Sequence, residues 1–313
     1  MPAYNEAGSL VRVVPQVLAA LAQLADAVEL IVVDDGSSDG TLEAARELAR
    51  AHPQLVLLGL SRNFGKEAAL TAGLQAARGD VVVLMDADGQ HPSALLPEML
   101  ARWRAGADVV YAVRRTRADQ SRLHARLAGL FYRFINWGNR VQIPANAGDF
   151  RLLDRKVVQA LSGLPERNRF MKGLYAWVGF QGTAIEYDPL PRVDGQTSFG
   201  LRGAFTLALT GMVAFSSAPL RFISALGLLL SVLSLGYGVW VVGDYFIGDV
   251  PPPGYATIVA GMMFLSGIQL LALGVLAEYV GRIYDEVKRR PSYLIDRREG
   301  SGLPPRPDAD GQA

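Results

Sequence analysis

The sequence predicts an α/β domain built on a mostly parallel sheet, followed by two transmembrane helices. Three observations carry that prediction. Up to about residue 215, apolar β-branched runs alternate with helical stretches. Polar or acidic residues close those runs at their C-terminal ends. Near the C-terminus stand two uncharged apolar stretches, Phe222 to Gly243 and Gly254 to Ala277.

Val28 to Val33 is the first β-branched run and ends in Asp34-Asp35-Gly36. Leu55 to Leu60 is the second, Val81 to Met85 ends in Asp86, and Val109 to Val113 ends in Arg114. Between them, Thr41 to Ala51 and Glu67 to Ala77 read as helices. Alternation of strand and helix implies a largely parallel sheet covered on both faces. In open sheets of that kind, ligands gather at the C-terminal ends of the strands. Residues 119–140 set Leu123, Leu127, Leu130, Phe131, Phe134 and Trp137 at helical spacing among Arg122, Arg126, Arg133 and Arg140. Such a segment suits a helix on an anionic membrane surface, and equally a helix packed on the sheet. Leu201 to Phe215 is a second candidate of this kind.

Each C-terminal apolar stretch reaches the roughly 20 residues that cross about 30 Å of hydrocarbon. The connector Asp244 to Pro253 has two Asp, no Lys or Arg, and the stiff run Pro251-Pro252-Pro253. Arg221 precedes the first stretch; Arg282, Lys288, Arg289 and Arg290 follow the second. The positive-inside rule then puts both ends in the cytoplasm, as a multi-pass protein of the cell inner membrane. The resulting plan is a catalytic domain over 1–200 and an interfacial linker over 201–220. A transmembrane hairpin follows over 221–284, with spans 222–243 and 254–277, and then a tail over 285–313. The end of the tail, rich in Gly, Pro and Asp, is expected to be disordered.

Composition excludes several classes. The net charge of +1 lacks the basic excess of a general nucleic-acid binder. With no cysteine, disulfides, thiolate zinc sites and a cysteine nucleophile are ruled out. No basic stretch followed by an apolar run opens the chain, so no signal peptide is expected. No Gly-x-Gly-x-x-Gly follows a strand, which disfavours a dinucleotide enzyme.

The strongest chemical signal is Asp86-Ala87-Asp88-Gly89-Gln90 at the end of an apolar strand. Two carboxylates and an amide oxygen are hard ligands that suit Mg²⁺ or Mn²⁺, with phosphates filling the other positions. A second signal is Val33-Asp34-Asp35-Gly36-Ser37-Ser38-Asp39-Gly40-Thr41. Paired Asp at a strand end can accept hydrogen bonds from a base or ribose, although Ser38 or Asp39 can equally cap the following helix. Pro2-Ala3-Tyr4-Asn5-Glu6 carries no meaning alone.

Taken together, these segments resemble family 2 glycosyltransferases of the GT-A fold, a Rossmann-like architecture. Ser61 to Ala69, Gly148-Asp149-Phe150-Arg151-Leu152 and Glu278 to Tyr284 are similar to the bactoprenol glucosyltransferase (GtrB-like) branch. Dolichol-phosphate mannose synthase is a more distant relative. The resemblance implies a nucleotide-sugar donor, a polyprenyl phosphate acceptor, a bound Mg²⁺ or Mn²⁺, and a homo-tetramer. It assigns the donor to Pro2, Tyr4, Glu6, Val33, Asp35, Asp86 and Ala87. It assigns the metal and diphosphate to Asp86, Asp88 and Gln90. Arg114, Arg151, Arg192 and Thr197 fall to the acceptor phosphate, and Asp88, Asp149, Arg114 and Arg192 to catalysis.

Three departures stand beside the resemblance. The family has a full strand before its Pro-x-Tyr-Asn-Glu, whereas Met1 directly precedes Pro2 here, so a mis-assigned start or a truncation is expected. The acceptor loop reads Gly195-Gln196-Thr197-Ser198 and lacks the family's lysine. His91 stands where Asp is common, and is expected as an exposed loop residue rather than a metal ligand. Rival readings are a GDP-mannose-dependent mannosyltransferase, a processive synthase and a non-catalytic membrane scaffold. The synthase would need Gln-x-x-Arg-Trp, and Arg102-Trp103 lacks the Gln. Intact Asp86 and Asp88 argue against the scaffold.

Overall fold

A computed structural model describes residues 1–115, 147–167, 169–190, 218–247 and 254–304. Strand β1 (Pro2–Ala3) leads to α1 (Ala7–Ala22), β2 (Leu30–Asp34), α2 (Thr41–Ala51), β3 (Leu55–Leu60) and α3 (Lys66–Ala76). Then come β4 (Val81–Leu84), α4 (Leu96–Arg104), β5 (Val109–Arg114), β6 (Ala147–Asp154), α5 (Arg155–Ser162), α6 (Met171–Trp177) and β7 (Gly182–Tyr187). Helices α7 (Ala218–Ile247) and α8 (Tyr255–Val287) follow, and β8 (Ile295–Glu299) closes the described chain.

Every residue of β2 and β3 is buried, as expected for central strands covered on both faces. Helix α1 supplies one cover through Leu10, Val13, Val14, Val17 and Leu18, spaced to form one helical stripe. A second core joins Leu70 and Leu74 of α3 to Leu153, Val157 and Leu161, and to Met171 and Leu174 of α6.

The sheet corrects the prediction of a mostly parallel one. Strands β1, β2 and β3 run parallel, as do β5 and β7. However, β6 lies antiparallel between β4 and β5, and β8 lies antiparallel against β3. The described strands form two four-stranded sheets, ordered β1-β2-β3-β8 and β4-β6-β5-β7. Strand β6 escapes a search for β-branched runs because Ala-Gly-Asp-Phe-Arg-Leu-Leu-Asp contains none. It is a strand because Phe150, Leu152 and Leu153 are buried by the cores around it; tertiary burial outweighs intrinsic propensity. An apolar cavity of about 300 Å³ separates β2 from β4, lined by Ile31, Leu70, Val83, Leu84, Leu96 and Trp103 among others. Its neighbour β1 is two residues long.

The segment after α8 carries a strand ahead of the Gly- and Pro-rich end. Ile295–Glu299 pairs with β3, and Glu299 accepts a 2.7 Å bond from Arg46. Charged side chains on this outer strand keep the sheet edge from recruiting another chain.

Helices α7 and α8 have 30 and 33 residues. Within α8, Phe264–Val287 is long and apolar enough to cross a membrane, with a mean hydropathy of 1.6. None of its apolar window is covered by protein. In α7 the apolar stretch among the described residues is shorter, Ile223–Ser234. Among the described residues, then, one helix rather than the expected two is long and apolar enough to span, and its apolar segment ends ten residues beyond Ala277. The helices contact one another, with Leu226, Leu230, Leu265 and Ile268 around the space between them.

Candidate active site

The C-terminal ends of β2, β4 and β5 and the N-terminal end of β6 open on one side of the domain. Antiparallel pairing of β4 and β6 sets Leu84 opposite Arg151. Continuing that register by two residues brings Asp86 and Asp149 to the same place. They share one cation. The Lys66 ammonium, at the first residue of α3, lies 2.7 Å from Asp86 and 2.8 Å from Asp149.

The loop that delivers Lys66 is held by Asp35. Its two carboxylate oxygens accept from the backbone N–H groups of Phe64 (2.8 Å) and Gly65 (2.9 Å). Gly36 lies at φ +66°, and a Cβ there would sit 2.4 Å from the backbone of Arg62. Only glycine meets both the conformation and the close approach. Asp35 is 3 % exposed, and it anchors the loop that leads into α3. Asp34 is also buried, and burial raises its carboxyl above the ordinary value. Among the described residues, Asp34 Oδ1 has no hydrogen-bond partner.

The Pro2–Glu6 loop packs beside the same turn. Asn5 donates its backbone N–H to Ser37 Oγ and accepts from the backbone of Ser38. Glu6 donates its backbone N–H to Thr41 Oγ1 and accepts from Ser9 Oγ. Tyr4 is 46 % exposed, free to stack on a ligand at the rim. The N-cap of α2 is Gly40, with no side-chain cap bond, so neither Ser38 nor Asp39 is the cap; Asp39, one residue earlier, accepts from the Thr41 backbone N–H. Val33 and Ala87 are buried, and the Val33 N–H donates to Met1 O.

Asp86 and Asp88 sit just beyond β4. Asp88 Oδ1 accepts from the Gln90 N–H at 3.0 Å, and Gln90 Oε1 accepts from Arg114 at 3.3 Å. Among the described residues, no group of three His, Cys, Asp or Glu side chains converges as a complete cation cage. Two carboxylates with the other positions left to phosphate oxygens nevertheless fit a hard divalent ion.

His91 corrects an expectation. It is 6 % exposed, not an open loop residue. Its ring stacks on Phe150 with centroids 4.7 Å apart and meets the edge of Tyr187. Nδ1 accepts from the Asp86 backbone N–H at 3.0 Å, which fixes the turn carrying both carboxylates. Burial lowers the imidazole pKa, as this neutral acceptor role requires.

Arg151 is 4 % exposed; its guanidinium lies 3.6 Å over the Tyr175 ring and donates to Gly148 O at 2.6 Å. It braces the turn that carries Asp149. Arg192 and Thr197 lie outside the described residues, as do the two amphipathic candidates 119–140 and 201–215.

Burial alone would raise the Asp149 carboxyl, but Lys66, Lys172 and Arg151 pull it down to about 2. Burial would strip the Lys66 charge, yet Asp86 and Asp149 outweigh it and raise that ammonium above its usual value. Glu67 goes the other way. Burial and the charge of Asp149 raise it to about 7, while the Met171 N–H opposes the shift. Sequence reading singled out neither Lys66 nor Glu67. The available signal was a Lys-Glu pair directly after the positive-φ Gly65, where a helix starts at the mouth of a sheet.

Glu67 supplies a pH prediction. Its folded pKa lies above the ordinary 4.5, so its contribution to stability is complete below that pH and is lost as pH rises through 7. Above pH 7 the buried carboxylate is a net cost. Glu67→Gln is therefore expected to gain on the parent protein across that interval, by on the order of 2 kcal/mol at pH 8. Chemical denaturation at pH 5 and pH 8 measures it. An equal difference at both pH values would contradict it.

Residues 1–162 match the family described as Glycosyl transferase family 2, and residues 218–283 match the GtrB C-terminal hairpin. An uncharacterized glycosyltransferase of Synechocystis sp. is 43% identical over 295 residues, covering 94% of this chain and 93% of the relative. The SfII prophage-derived bactoprenol glucosyl transferase of Shigella flexneri is 43% identical over 270 residues, covering 86% and 87%. A prophage bactoprenol glucosyl transferase homolog of Escherichia coli K12 is 41% identical over 270 residues, covering 86% and 88%.

Proposed function

Because the chain belongs to glycosyl transferase family 2, and is a glycosyltransferase, we propose that it moves glucose from UDP-glucose to undecaprenyl phosphate. The reaction takes place at the cytoplasmic face of the membrane. The observation that carries this reading is the Asp86–Lys66–Asp149 cluster at the strand ends, in a chain that also has the C-terminal hairpin. The names of the Shigella relatives support the bactoprenol acceptor and the glucosyl group.

Asp86, Asp88 and Gln90 would hold Mg²⁺ or Mn²⁺. When bound, the ion offsets charge on the departing nucleoside diphosphate. Tyr4 and the backbone of Val33 and Ala87 line the donor side. A phosphate monoester has a second pKa of about 6 and is mostly dianionic at neutral pH. Such a nucleophile needs alignment and charge neutralisation more than a base. Asp149, ionised and held by Lys66, suits orientation of a sugar hydroxyl or a cationic side chain. Arg114, with Arg192, suits the acceptor phosphate through the paired donors of its guanidinium. The displacement is in-line and inverts the anomeric centre; a covalent sugar–enzyme adduct would refute it.

The acceptor's chain explains the hairpin, since each CH₂ drawn from the bilayer costs about 0.8 kcal/mol. The catalytic domain must come to the lipid. In this reading α7 and α8 both span the bilayer, with the strand ends facing the headgroups. The test is to incubate membranes containing the protein with undecaprenyl phosphate and labelled UDP-glucose, UDP-galactose, UDP-N-acetylglucosamine or GDP-mannose. Labelled lipid is expected from UDP-glucose with Mg²⁺ or Mn²⁺. Labelling from GDP-mannose alone would replace the donor, and no labelled lipid from any donor would sink the acceptor.

A further inference from the structure

The Lys66 ammonium bridges the proposed metal carboxylate Asp86 and the carboxylate of Asp149, at 2.7 and 2.8 Å. One acid follows the end of β4, the other lies on β6, and the lysine comes from a helix start. The position of that helix start is itself fixed, because Asp35 holds Phe64 and Gly65 and no Cβ is tolerated at Gly36. A cation has thus been built into the acidic site with some care for its location. Yet the side chain is 42% exposed and ends a flexible four-carbon stem, so it has room to move away.

We propose that Lys66 is an internal counter-cation that competes with the divalent ion for Asp86, so that metal binds well only together with a nucleoside diphosphate. With no ligand, the ammonium neutralises Asp86 and ties it to Asp149. A metal at Asp86 must displace that ammonium, and the two like charges then repel at close range. The diphosphate removes the conflict. It supplies oxygens to the ion and negative charge to the released ammonium. Lys66 is on this account a positioning residue that orders the binding of metal and donor. The inference rests on the metal reading of Asp86 given above.

The test uses the full-length protein in detergent and titrates Mn²⁺ with and without UDP, following free Mn²⁺ by electron paramagnetic resonance. The parent protein is expected to bind Mn²⁺ at least tenfold more tightly with UDP than without. Lys66→Gln is expected to bind Mn²⁺ about tenfold more tightly than the parent when UDP is absent, and to gain much less from UDP. Lys66→Arg keeps the charge and is expected to behave like the parent, a rescue that a purely structural role would not predict. Lys66→Met, checked by circular dichroism, repeats the neutral substitution should Lys66→Gln misfold. Asp86→Asn separates the two readings. If it binds Mn²⁺ like the parent, the metal reading fails and takes this one with it. If it loses Mn²⁺ while the neutral Lys66 variants bind no more tightly than the parent, the metal reading stands and the competition is overturned.

Discussion

Asp86→Asn is expected to lower the rate of labelled-lipid formation by about 10³-fold, the scale of losing one preorganised electrostatic contact to the departing group. The fold should survive. Asp86 lies beyond the end of β4, its side chain is 26% exposed, and Lys66 keeps its second partner in Asp149. The backbone N–H of residue 86 still donates to His91 Nδ1, because that bond does not involve the carboxylate. The loss should therefore appear in turnover and in Mn²⁺ binding, with an unchanged circular dichroism spectrum. A variant that keeps more than a tenth of the parent rate would remove the carboxylate from the chemistry.

Asp149→Asn is expected to cost about 10²-fold in turnover while leaving the shape of the pH–rate profile unchanged. The reason is the acidity of the group. Held down to about 2 by Lys66, Lys172 and Arg151 against the opposing effect of burial, Asp149 is ionised through the whole working range. A carboxylate of that strength is a poor proton acceptor near neutrality, where an efficient general base has a pKa close to the operating pH. Its value lies in its charge and position. Asn preserves the shape and loses the charge, so the ion pair with Lys66 goes and orientation suffers. Rates measured from pH 5 to 9 decide the matter. Disappearance of an ionisation present in the parent profile would make Asp149 a base after all.

Much of the site was legible because its signals are local. Asp34-Asp35-Gly36 and Asp86-Ala87-Asp88 each follow a run of apolar residues, and a strand end is recognisable from one short window. Other parts were misread because their meaning depends on neighbours far away in the chain. His91 reads as a loop polar group until Phe150 and Tyr187 enclose it. Nothing near Arg151 in the chain announces the Tyr175 ring that covers its guanidinium. Nothing near Asp35 announces the Phe64 and Gly65 N–H groups that its two oxygens accept from. Strand β6 lacks the residues that advertise a strand, and β8 is mostly charged.

By itself the sequence determined the strands β2 to β5, the helices α2 and α3, the acidic strand ends and the apolar C-terminal stretches. All of these follow from hydrophobic periodicity and charge within a few residues, which is information the chain carries locally. The tertiary structure alone decided the direction of β6 and β8, the burial of His91 and Arg151, and the meeting of Lys66 with Asp86 and Asp149. Those depend on which surfaces exclude water and on charges separated by 20 and 83 residues along the chain, and no local pattern encodes either.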